Sequence, residues 1–215
     1  MLKTERIELF GEELLLHPHR AAYWVRKRTL LLSDLHLGKA VHFRRAGIPV
    51  PAAVGNENWD KLIGLMLDFE PKRVLFLGDL FHSDLNSVWT DFEEFLARFP
   101  EVEFGLVIGN HDILDQEHYG RAGLKVYPTL LERPFLFTHK PLSEIPGEQY
   151  NLCGHIHPGV RLSGGGGTLR LPCFFFGEHQ GILPAFGAFT GLYRMRPQPT
   201  DRVFVLTDTT VINVN

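Results

Sequence analysis

The sequence is poor in cysteine and contains no long uninterrupted apolar segment. It has two cysteines among 215 residues. Cys153 and Cys173 each lie in an apolar run, so we expect two buried thiols in a reducing compartment and no disulfide framework. No stretch approaches the roughly 18 apolar residues of a membrane helix, and the N-terminus lacks the apolar core of a signal peptide. The sequence therefore predicts a cytoplasmic protein without a membrane span.

The chain also has no excess of basic residues over acidic ones. The chain carries 22 Lys and Arg against 25 Asp and Glu, for a net charge of -3. This balance excludes a protein whose whole surface is built to bind nucleic acid, although it permits a local basic groove. With 44% hydrophobic and 22% charged residues the chain is typical of globular proteins. Its length suits one domain, and we expect a single domain over residues 1–215.

Short apolar runs bounded by polar residues predict strands that are buried on both faces. These runs are Thr29–Leu32, Val74–Leu77, Phe104–Ile108 and Phe135–Phe137. Between them, apolar residues recur at helical spacing in two groups. The first group is Trp59, Leu62, Ile63, Met66 and Leu67, and the second is Val88, Phe92, Phe95, Leu96 and Phe99. Alternation of strands and helices indicates an α/β fold with parallel pairing.

The second half of the sequence favours antiparallel strands. Residues 160–163 and 168–171 predict a β-hairpin whose glycine run forms the turn. Residues 202–206 and 210–214 predict two closing strands. These patterns leave two layouts open, a single mixed sheet or two stacked sheets, with helices outside.

Polar, metal-ligating side chains follow the ends of five apolar runs. The carboxyl ends of strands in an open α/β sheet form its ligand-binding edge, so we expect these side chains to meet there. Gly-Asn-His-Asp at residues 109–112 is the rarest pattern, since a shuffled sequence of this composition would contain it about 0.002 times. The candidate ligands are Asp34, His36, Asp79, Asn110, His139, His155 and His157.

Two divalent metal ions explain this set better than one. We expect one shell from Asp34, His36, Asp79 and His157, and another from Asp79, Asn110, His139 and His155, with Asp79 bridging. Carboxylate, imidazole and amide donors without thiolate suit Mn²⁺, Fe or Zn²⁺. Such a pair can activate a bridging water as hydroxide for in-line attack on phosphorus.

Further residues around these motifs suggest roles in proton transfer and substrate binding. His111 follows Asn110 directly and suits a general acid that protonates the leaving oxygen, and Asp112 is a candidate to orient its imidazole. The basic residues Lys39, Arg44 and Arg45 follow the first motif. They either contact substrate phosphates or form a solvated loop.

Five motifs in this order resemble the calcineurin-like metallophosphoesterase superfamily: Asp-x-His, Gly-Asp, Gly-Asn-His-Asp, a single His, and Gly-His-x-His. The resemblance implies an α/β fold of two stacked mixed β-sheets flanked by helices. Residues 34–39, 43–51, 78–83 and 183–187 resemble the bacterial ligase-associated DNA damage response endonuclease branch. That branch implies Mn²⁺-dependent phosphodiesterase or nuclease activity in DNA repair, with a DNA ligase and a helicase as functional partners.

One departure from the superfamily pattern bears on whether the protein is a protein phosphatase. Protein phosphatases of the superfamily carry Gly-Asp-x-x-Asp-Arg-Gly, whereas His82 stands at the second Asp position here and no Arg-Gly follows. This argues against a protein phosphatase and makes His82 a second candidate to orient His111, as well as a candidate substrate contact.

The sequence therefore predicts a two-metal phosphodiesterase or endonuclease that acts on DNA, single strands included, or on nucleotides. Two alternatives stay open: a small-molecule nucleotide or pyrophosphate phosphohydrolase, and a non-catalytic scaffold with the same fold. The intact set of ligands disfavours the scaffold. The oligomeric state is not determined by the sequence.

Overall fold

A computed structural model describes residues 2–39, 53–81, 87–164, 167–188 and 190–214. Within these ranges the helices are α1 (Ala53–Phe69), α2 (Ser87–Ala97) and α3 (Gln116–Arg121). The first strands are β1 (Glu5–Leu9), β2 (Glu12–His17), β3 (Ala21–Trp24), β4 (Thr29–Leu32), β5 (Arg73–Leu77), β6 (Glu103–Val107), β7 (Leu124–Tyr127) and β8 (Leu130–Glu132). The remaining strands are β9 (Phe135–Phe137), β10 (Tyr150–Cys153), β11 (Pro158–Gly164), β12 (Gly167–Phe176), β13 (Gln180–Ile182), β14 (Tyr193–Arg194), β15 (Arg202–Leu206) and β16 (Val211–Asn213).

The first sheet takes its strands in chain order, from β1 to β7. Strands β1 to β4 pair antiparallel, whereas β4, β5, β6 and β7 pair parallel. The parallel half is the α/β part that the sequence predicts, because α1 and α2 connect its neighbouring strands. The antiparallel strands β1 to β3 extend this sheet at its other edge.

The second sheet is mixed and follows the order β14-β11-β12-β13-β10-β9-β8, with β15 and β16 attached to β12. Strands β9, β10 and β13 pair parallel, while the hairpin of β11 and β12 is antiparallel. The predicted hairpin and the closing strand β15 therefore both belong to this sheet. The two-sheet arrangement is the one that the sequence resemblance implies, and the expected fold class is confirmed.

Alternating side chains explain why the two sheets form layers. Leu30 and Leu32 of β4 face a core shared with the helices, whereas Leu31 between them faces a core shared with the second sheet. Successive side chains of a strand point to opposite faces, so a strand covered on both faces is apolar throughout. Phe135 and Phe174 contribute the second sheet's side of the inner core.

The described helices pack on the outer face of the first sheet. Leu62 of α1, Phe92 of α2 and Tyr119 of α3 all belong to the core on that face. The outer face of the second sheet carries a smaller apolar cluster, in which Cys173 and Val205 are buried. Both cysteines of the chain are unpaired and buried, as expected.

Two details of the predicted helices are wrong. Leu67, assigned to the apolar stripe of α1, is 68% exposed, because the buried face is centred on Leu62, Leu65 and Met66. Phe99 lies beyond the end of α2 at Ala97, although it still packs against the core. Within the ranges given above, no helix is long and apolar enough to cross a membrane.

Candidate metal centre

The predicted ligands lie where the strands end. Asp34 follows β4, Asp79 follows β5 and Asn110 follows β6, and these three strands pair parallel. His139 follows β9, and His155 and His157 follow β10, which pairs parallel with β9. Parallel strands end at the same edge, so each sheet presents its polar residues at one edge. The two edges meet at the candidate metal centre.

Five candidate ligands have a left-handed backbone, which L-residues with a Cβ adopt only at a cost. Their φ angles are 53° at Asp34, 47° at His36, 51° at Asp79, 67° at His155 and 53° at His157. Strained backbone of this kind clusters at functional sites, where the surrounding structure enforces it. Here the enforced turns bring the side chains of five residues into one cleft.

The first cluster consists of Asp34, His36 and His157, whose ligand atoms all lie within 4.8 Å of one another. Asp34 is fully buried, and its Oδ2 accepts hydrogen bonds from the Ser33 hydroxyl and from the backbone N–H of His155, the latter at 2.9 Å. Its Oδ1 lies 3.2 Å from Nε2 of His157. One carboxylate oxygen is thus held by the protein while the other faces the imidazoles.

The second cluster consists of Asp79, His139 and His155, again with ligand atoms within 4.8 Å of one another. Nδ1 of His139 lies 2.9 Å from the carbonyl oxygen of Leu77, which fixes the tautomer with the proton on Nδ1 when the ring is neutral. Its Nε2 lies 3.2 Å from Oδ1 of Asn110, 3.1 Å from Nδ1 of His155 and 3.4 Å from Oδ1 of Asp79. The predicted ligand Asn110 is therefore part of this cluster.

Asp79 lies between the two clusters. Its Oδ1 faces His139 at 3.4 Å, and its Oδ2 lies 4.0 Å from Nε2 of His36. Each oxygen of one carboxylate is thus directed to a different cluster. This is the arrangement required of a bridging ligand.

The donor set fits a cation in each cluster. Oδ1 of Asp34 and Nε2 of His157 are buried, and neither has a hydrogen-bond partner among the described residues, although they lie 3.2 Å apart. Two lone pairs at this distance repel each other unless a proton or a metal ion lies between them. The same holds around Nε2 of His139, on which oxygen and nitrogen acceptors converge. These residues therefore fit divalent metal ions.

The protonation of the cluster residues also suits metal binding. Burial, assisted by the charge of Lys39, lowers the pKa of His36 to about 3. Burial and the neighbouring His139 lower the pKa of His155. Burial alone would raise the pKa of Asp79, but the hydrogen bond and charge of His139 outweigh it and lower that pKa to about 2. Neutral imidazoles and an ionised carboxylate are the forms that bind metal.

His139 behaves differently from the other two imidazoles. Burial would lower its pKa, but the hydrogen bond to Asp79 and the charge of that carboxylate raise it. A cation bound between these two residues would take the place of this proton. Metal binding at the second cluster is therefore expected to release a proton at mildly acidic pH.

Asp112 stabilises the backbone beside the candidate ligand Asp79. Its carboxylate is buried, and it accepts hydrogen bonds from the backbone N–H groups of Asp79, Leu80 and Gly109. That Asp112 orients the His111 imidazole stays a prediction. The structure shows a positioning residue that joins the loops after β5 and β6.

His111 lies at the open side of the centre. Its backbone N–H donates to Oδ1 of Asp79 at 2.9 Å, and its exposed ring lies 5.5 Å from the ring of His36, centroid to centroid. Lys39 is half-buried near the same cleft. Burial lowers its pKa, while the carboxylates of Asp79 and Asp34 oppose this effect. The other predicted substrate contacts, Arg44, Arg45 and His82, lie outside the described residues.

Sequence reasoning missed two features that shape the centre. The buried hydroxyl of Ser33 donates to Asp34, and its position directly before that aspartate was the available signal. The backbone N–H groups of Phe186 and Gly187 donate to the carbonyl oxygens of Ser33 and Asp34 at 2.8 and 3.1 Å. The segment 183–187, noted only for its resemblance, therefore supports the backbone of a candidate ligand.

Comparison with known proteins places the chain in a family. The model of the family described as calcineurin-like phosphoesterase matches residues 27–188, a range that contains all seven candidate ligands. The chain is also similar to the crystal structure of Pseudomonas putida nuclease MPE, with 28% identity, a TM-score of 0.80, and coverage of 99% of this chain and 100% of that one. None of the curated proteins matches the chain.

Two other solved structures are more distant. The protein of unknown function AQ665 from Aquifex aeolicus is 17% identical, with a TM-score of 0.40 and coverage of 60% of this chain and 78% of that one. Yfce, a phosphoesterase from E. coli, is 15% identical, with a TM-score of 0.43 and coverage of 86% of this chain and 97% of that one. On the family match, the chain belongs to the calcineurin-like phosphoesterases and is a metal-dependent phosphoester hydrolase.

Proposed function

We propose that the chain is a two-metal phosphodiesterase that cleaves DNA, and that its residues 1–215 form one metallophosphoesterase domain. The position of Asp79 carries this proposal, because its two carboxylate oxygens face two different clusters of imidazoles. A pair of cations sharing one carboxylate is the arrangement that clamps both oxygens of an in-line displacement at phosphorus.

Seven residues hold the two ions in this proposal. Asp34, His36 and His157 would hold one ion, Asn110, His139 and His155 would hold the other, and Asp79 would contribute to both sites. When bound, two divalent ions lower the pKa of water and stabilise the negative charge that develops on the phosphate. Oxygen and imidazole donors without thiolate suit Mn²⁺, Fe or Zn²⁺. The resemblance to the ligase-associated endonuclease branch favours Mn²⁺ among these.

The protein supplies the remaining chemistry through its own side chains. A ring N–H of His111 donates a proton to the oxygen that leaves the phosphorus, a role that its exposed position beside Asp79 and His36 supports. The ammonium group of Lys39 offsets negative charge on the phosphate oxygens, since it lies close enough to interact with Asp79 and Asp34.

The DNA substrate is supported by the similarity to a nuclease over the full length of both chains. The resemblance of residues 34–39, 43–51 and 78–83 to the ligase-associated endonuclease branch supports a role in DNA repair beside a DNA ligase and a helicase. The two buried, unpaired cysteines fit a reducing compartment, and we propose the cytoplasm.

Hydrolysis of two chromogenic esters by the reconstituted protein tests this function. We expect the Mn²⁺-loaded protein to cleave bis-p-nitrophenyl phosphate faster than p-nitrophenyl phosphate, and to cut circular single-stranded DNA. Chelation should abolish both activities. Metal analysis should find two ions per chain, and fewer than two in Asp79→Asn. The matched control, Asp60→Asn, removes an exposed carboxylate of α1 and should retain both ions.

Three results would overturn the proposal. Activity that persists after chelation would exclude the metal centre, and two ions bound to Asp79→Asn with normal activity would exclude the bridging role. Cleavage of nucleotides or pyrophosphate-linked metabolites without cleavage of DNA would instead identify a small-molecule phosphohydrolase.

A further inference from the structure

Three arginines form a basic surface beside the candidate metal centre. Arg161 and Arg170 lie on the hairpin of β11 and β12, and Arg194 lies on β14, which pairs with β11. Strand β11 begins at Pro158, directly after the candidate ligand His157. We call these three residues the arginine surface.

The strand register places the three side chains on one face of the sheet. Arg161 is the direct cross-strand partner of Arg170 in the antiparallel pair. Arg194 is the partner of Gly159, which lies two residues before Arg161 and therefore points to the same face. All three arginines line one shallow depression together with Gly159 and Leu192. The surface is thus continuous across three strands.

Acidic neighbours are missing from this part of the chain. The sequence has no Asp or Glu from residue 158 to residue 177, or from residue 188 to residue 200, although the net charge of the whole chain is -3. All three arginines are exposed, and among the described residues none has a carboxylate oxygen within 4.0 Å. The positive charge of this surface is therefore not neutralised by the described part of the protein.

The pairing of Arg161 with Arg170 is unfavourable in the isolated protein. Like charges directly opposite each other across an antiparallel pair destabilise the sheet. Their planar guanidinium groups present forks that match two oxygens of a phosphate group. A phosphate backbone bound across the hairpin would offset this repulsion, because each guanidinium group would then contact a negative charge.

The arginine surface is close enough to the metal centre to contact the same substrate. The backbone N–H of Tyr193 on β14 donates to the carbonyl oxygen of His157 at 2.9 Å, which ties the outer strand to a candidate ligand. Arg161 lies four residues beyond His157, or roughly 13 Å along an extended strand. At about 3.4 Å per nucleotide, this distance corresponds to a few steps of a DNA strand.

We propose that the arginine surface binds the phosphate backbone of the DNA strand to one side of the scissile phosphate, an inference that rests on the proposed nuclease function. Phosphate contacts of this kind position a strand without reading its sequence. A nucleotide or a small diester is too short to span from the metal centre to Arg161. The surface therefore distinguishes an enzyme for polymers from one for small molecules.

DNA binding under chelating conditions tests the inference without any need for catalysis. The probe is a fluorescein-labelled oligo(dT) of about 20 nucleotides, and its anisotropy is recorded between about 50 and 200 mM salt. The test variant replaces the three arginines with glutamine. The matched control changes the same number of charges at exposed positions before β5, β6 and β7, at the opposite edge of the first sheet. These positions are Lys72, Arg98 and Arg121.

We expect the arginine-surface variant to bind the oligonucleotide more weakly than the wild type. Its slope of log K against log salt should be less steep by about 2, because three phosphate contacts are lost and each contributes about 0.7. The loss should be equal for mixed-sequence strands. The control variant should bind like the wild type. Circular dichroism and thermal unfolding verify that each variant is folded, and the single variant Arg194→Gln, on the edge strand, repeats the test with a smaller change.

The outcomes separate this inference from the proposed function. If the wild type binds and cleaves DNA but the arginine-surface variant has an unchanged affinity and salt slope, the inference is wrong and the nuclease function stands. An equal loss in the control variant would also overturn it, because the effect would then be one of overall charge. If the wild type hydrolyses small diesters but does not bind DNA, both the inference and the DNA substrate are wrong.

Discussion

Oδ2 of Asp112 accepts a hydrogen bond from the backbone N–H of Asp79 at 2.9 Å. The same carboxylate also accepts from Leu80 and Gly109, at 2.9 and 2.8 Å. The buried carboxylate of Asp112 therefore fastens the loop that carries the candidate bridging ligand to the Gly-Asn-His-Asp motif, beside the hydrogen bond from the His111 backbone N–H to Oδ1 of Asp79. The position of Asp79 between the two imidazole clusters depends on this link.

Replacement of Asp112 by asparagine should weaken the centre without removing a ligand. The amide NH₂ cannot accept a hydrogen bond, so at least one backbone N–H loses its partner. We expect the free energy of unfolding to fall by about 1–3 kcal/mol and Mn²⁺ affinity to fall about 10–100-fold. Urea denaturation and calorimetric titration measure these effects. Asp115→Asn, at the exposed N-cap of α3, is the control, and equal losses in both variants would contradict the positioning role.

Gly154 should tolerate no side chain. A Cβ at this position would lie 1.6 Å from the Ser33 hydroxyl oxygen and 2.5 Å from Oδ2 of Asp34, so the first cluster must distort. We expect Gly154→Ala to lose metal from that cluster, as counted by metal analysis. Gly64→Ala is the control, because a Cβ there meets nothing within 4 Å and alanine should stabilise α1 by about 1 kcal/mol. Normal metal content in Gly154→Ala would disprove this packing argument.

Removal of the His111 imidazole should have an effect that depends on the leaving group. A general acid contributes about 10²–10⁴-fold when the leaving oxygen is basic, and little when it is already a good leaving group. We therefore expect His111→Ala to reduce DNA cleavage strongly and p-nitrophenyl diester cleavage only weakly. Steady-state kinetics with a series of aryl diesters measures this difference. A uniform loss across the series would assign His111 to substrate binding rather than to proton donation.

Stability should depend on pH through His17, which is buried in β2. Burial, with a contribution from the charge of His19, lowers the pKa of His17 to about 4 from its ordinary value of 6.5. Below pH 6.5 the unfolded chain takes up a proton at this residue while the folded chain does not. The free energy of unfolding should therefore fall between about pH 6.5 and 4, by up to about 3 kcal/mol from this group.

Substitution of His17 isolates its part of this pH dependence. Asn at position 17 does not titrate, and its amide oxygen can accept the hydrogen bond from the His19 N–H that Nδ1 of His17 accepts. We expect His17→Asn to be less sensitive to acid than the wild type in urea denaturation at several pH values. His179→Asn, which removes an exposed histidine, should behave like the wild type. The assignment fails if the two variants have the same pH profile.

The parallel half of the fold was predictable because each of its strands is buried on both faces. Val74 and Phe76 face the helices, while Leu75 and Leu77 face the second sheet, so the run reads as continuously apolar. Strands β1 to β3 were not predicted. The exposed edge of the sheet gives β1 a mixed sequence, in which Ile7 and Leu9 are buried between exposed residues.

The candidate ligands were predictable because each follows a strand end, and parallel pairing brings such ends together. The link between Asp112 and Asp79 was not, because it joins a side chain to backbone N–H groups more than 30 residues away. Any residue other than proline at positions 79 and 80 has the same backbone N–H group, so the residue types there do not indicate the contact. The same applies to the backbone carbonyl of Leu77 that contacts Nδ1 of His139 and to the backbone N–H of His155 that donates to Oδ2 of Asp34.

The left-handed backbone lowers the stability of the fold at five positions that supply candidate ligands. These positions are Asp34, His36, Asp79, His155 and His157. Each of these residues costs about 1–2 kcal/mol of conformational energy that glycine would not incur. Glycine at His157, whose Nε2 has no hydrogen-bond partner among the described residues, would therefore relax the local turn while it deletes a ligand. Mutant libraries screened for thermal tolerance alone should accumulate such changes, and a heat-resistant descendant obtained in that way would be inert. Engineering of this protein for robustness has to select for activity in every round.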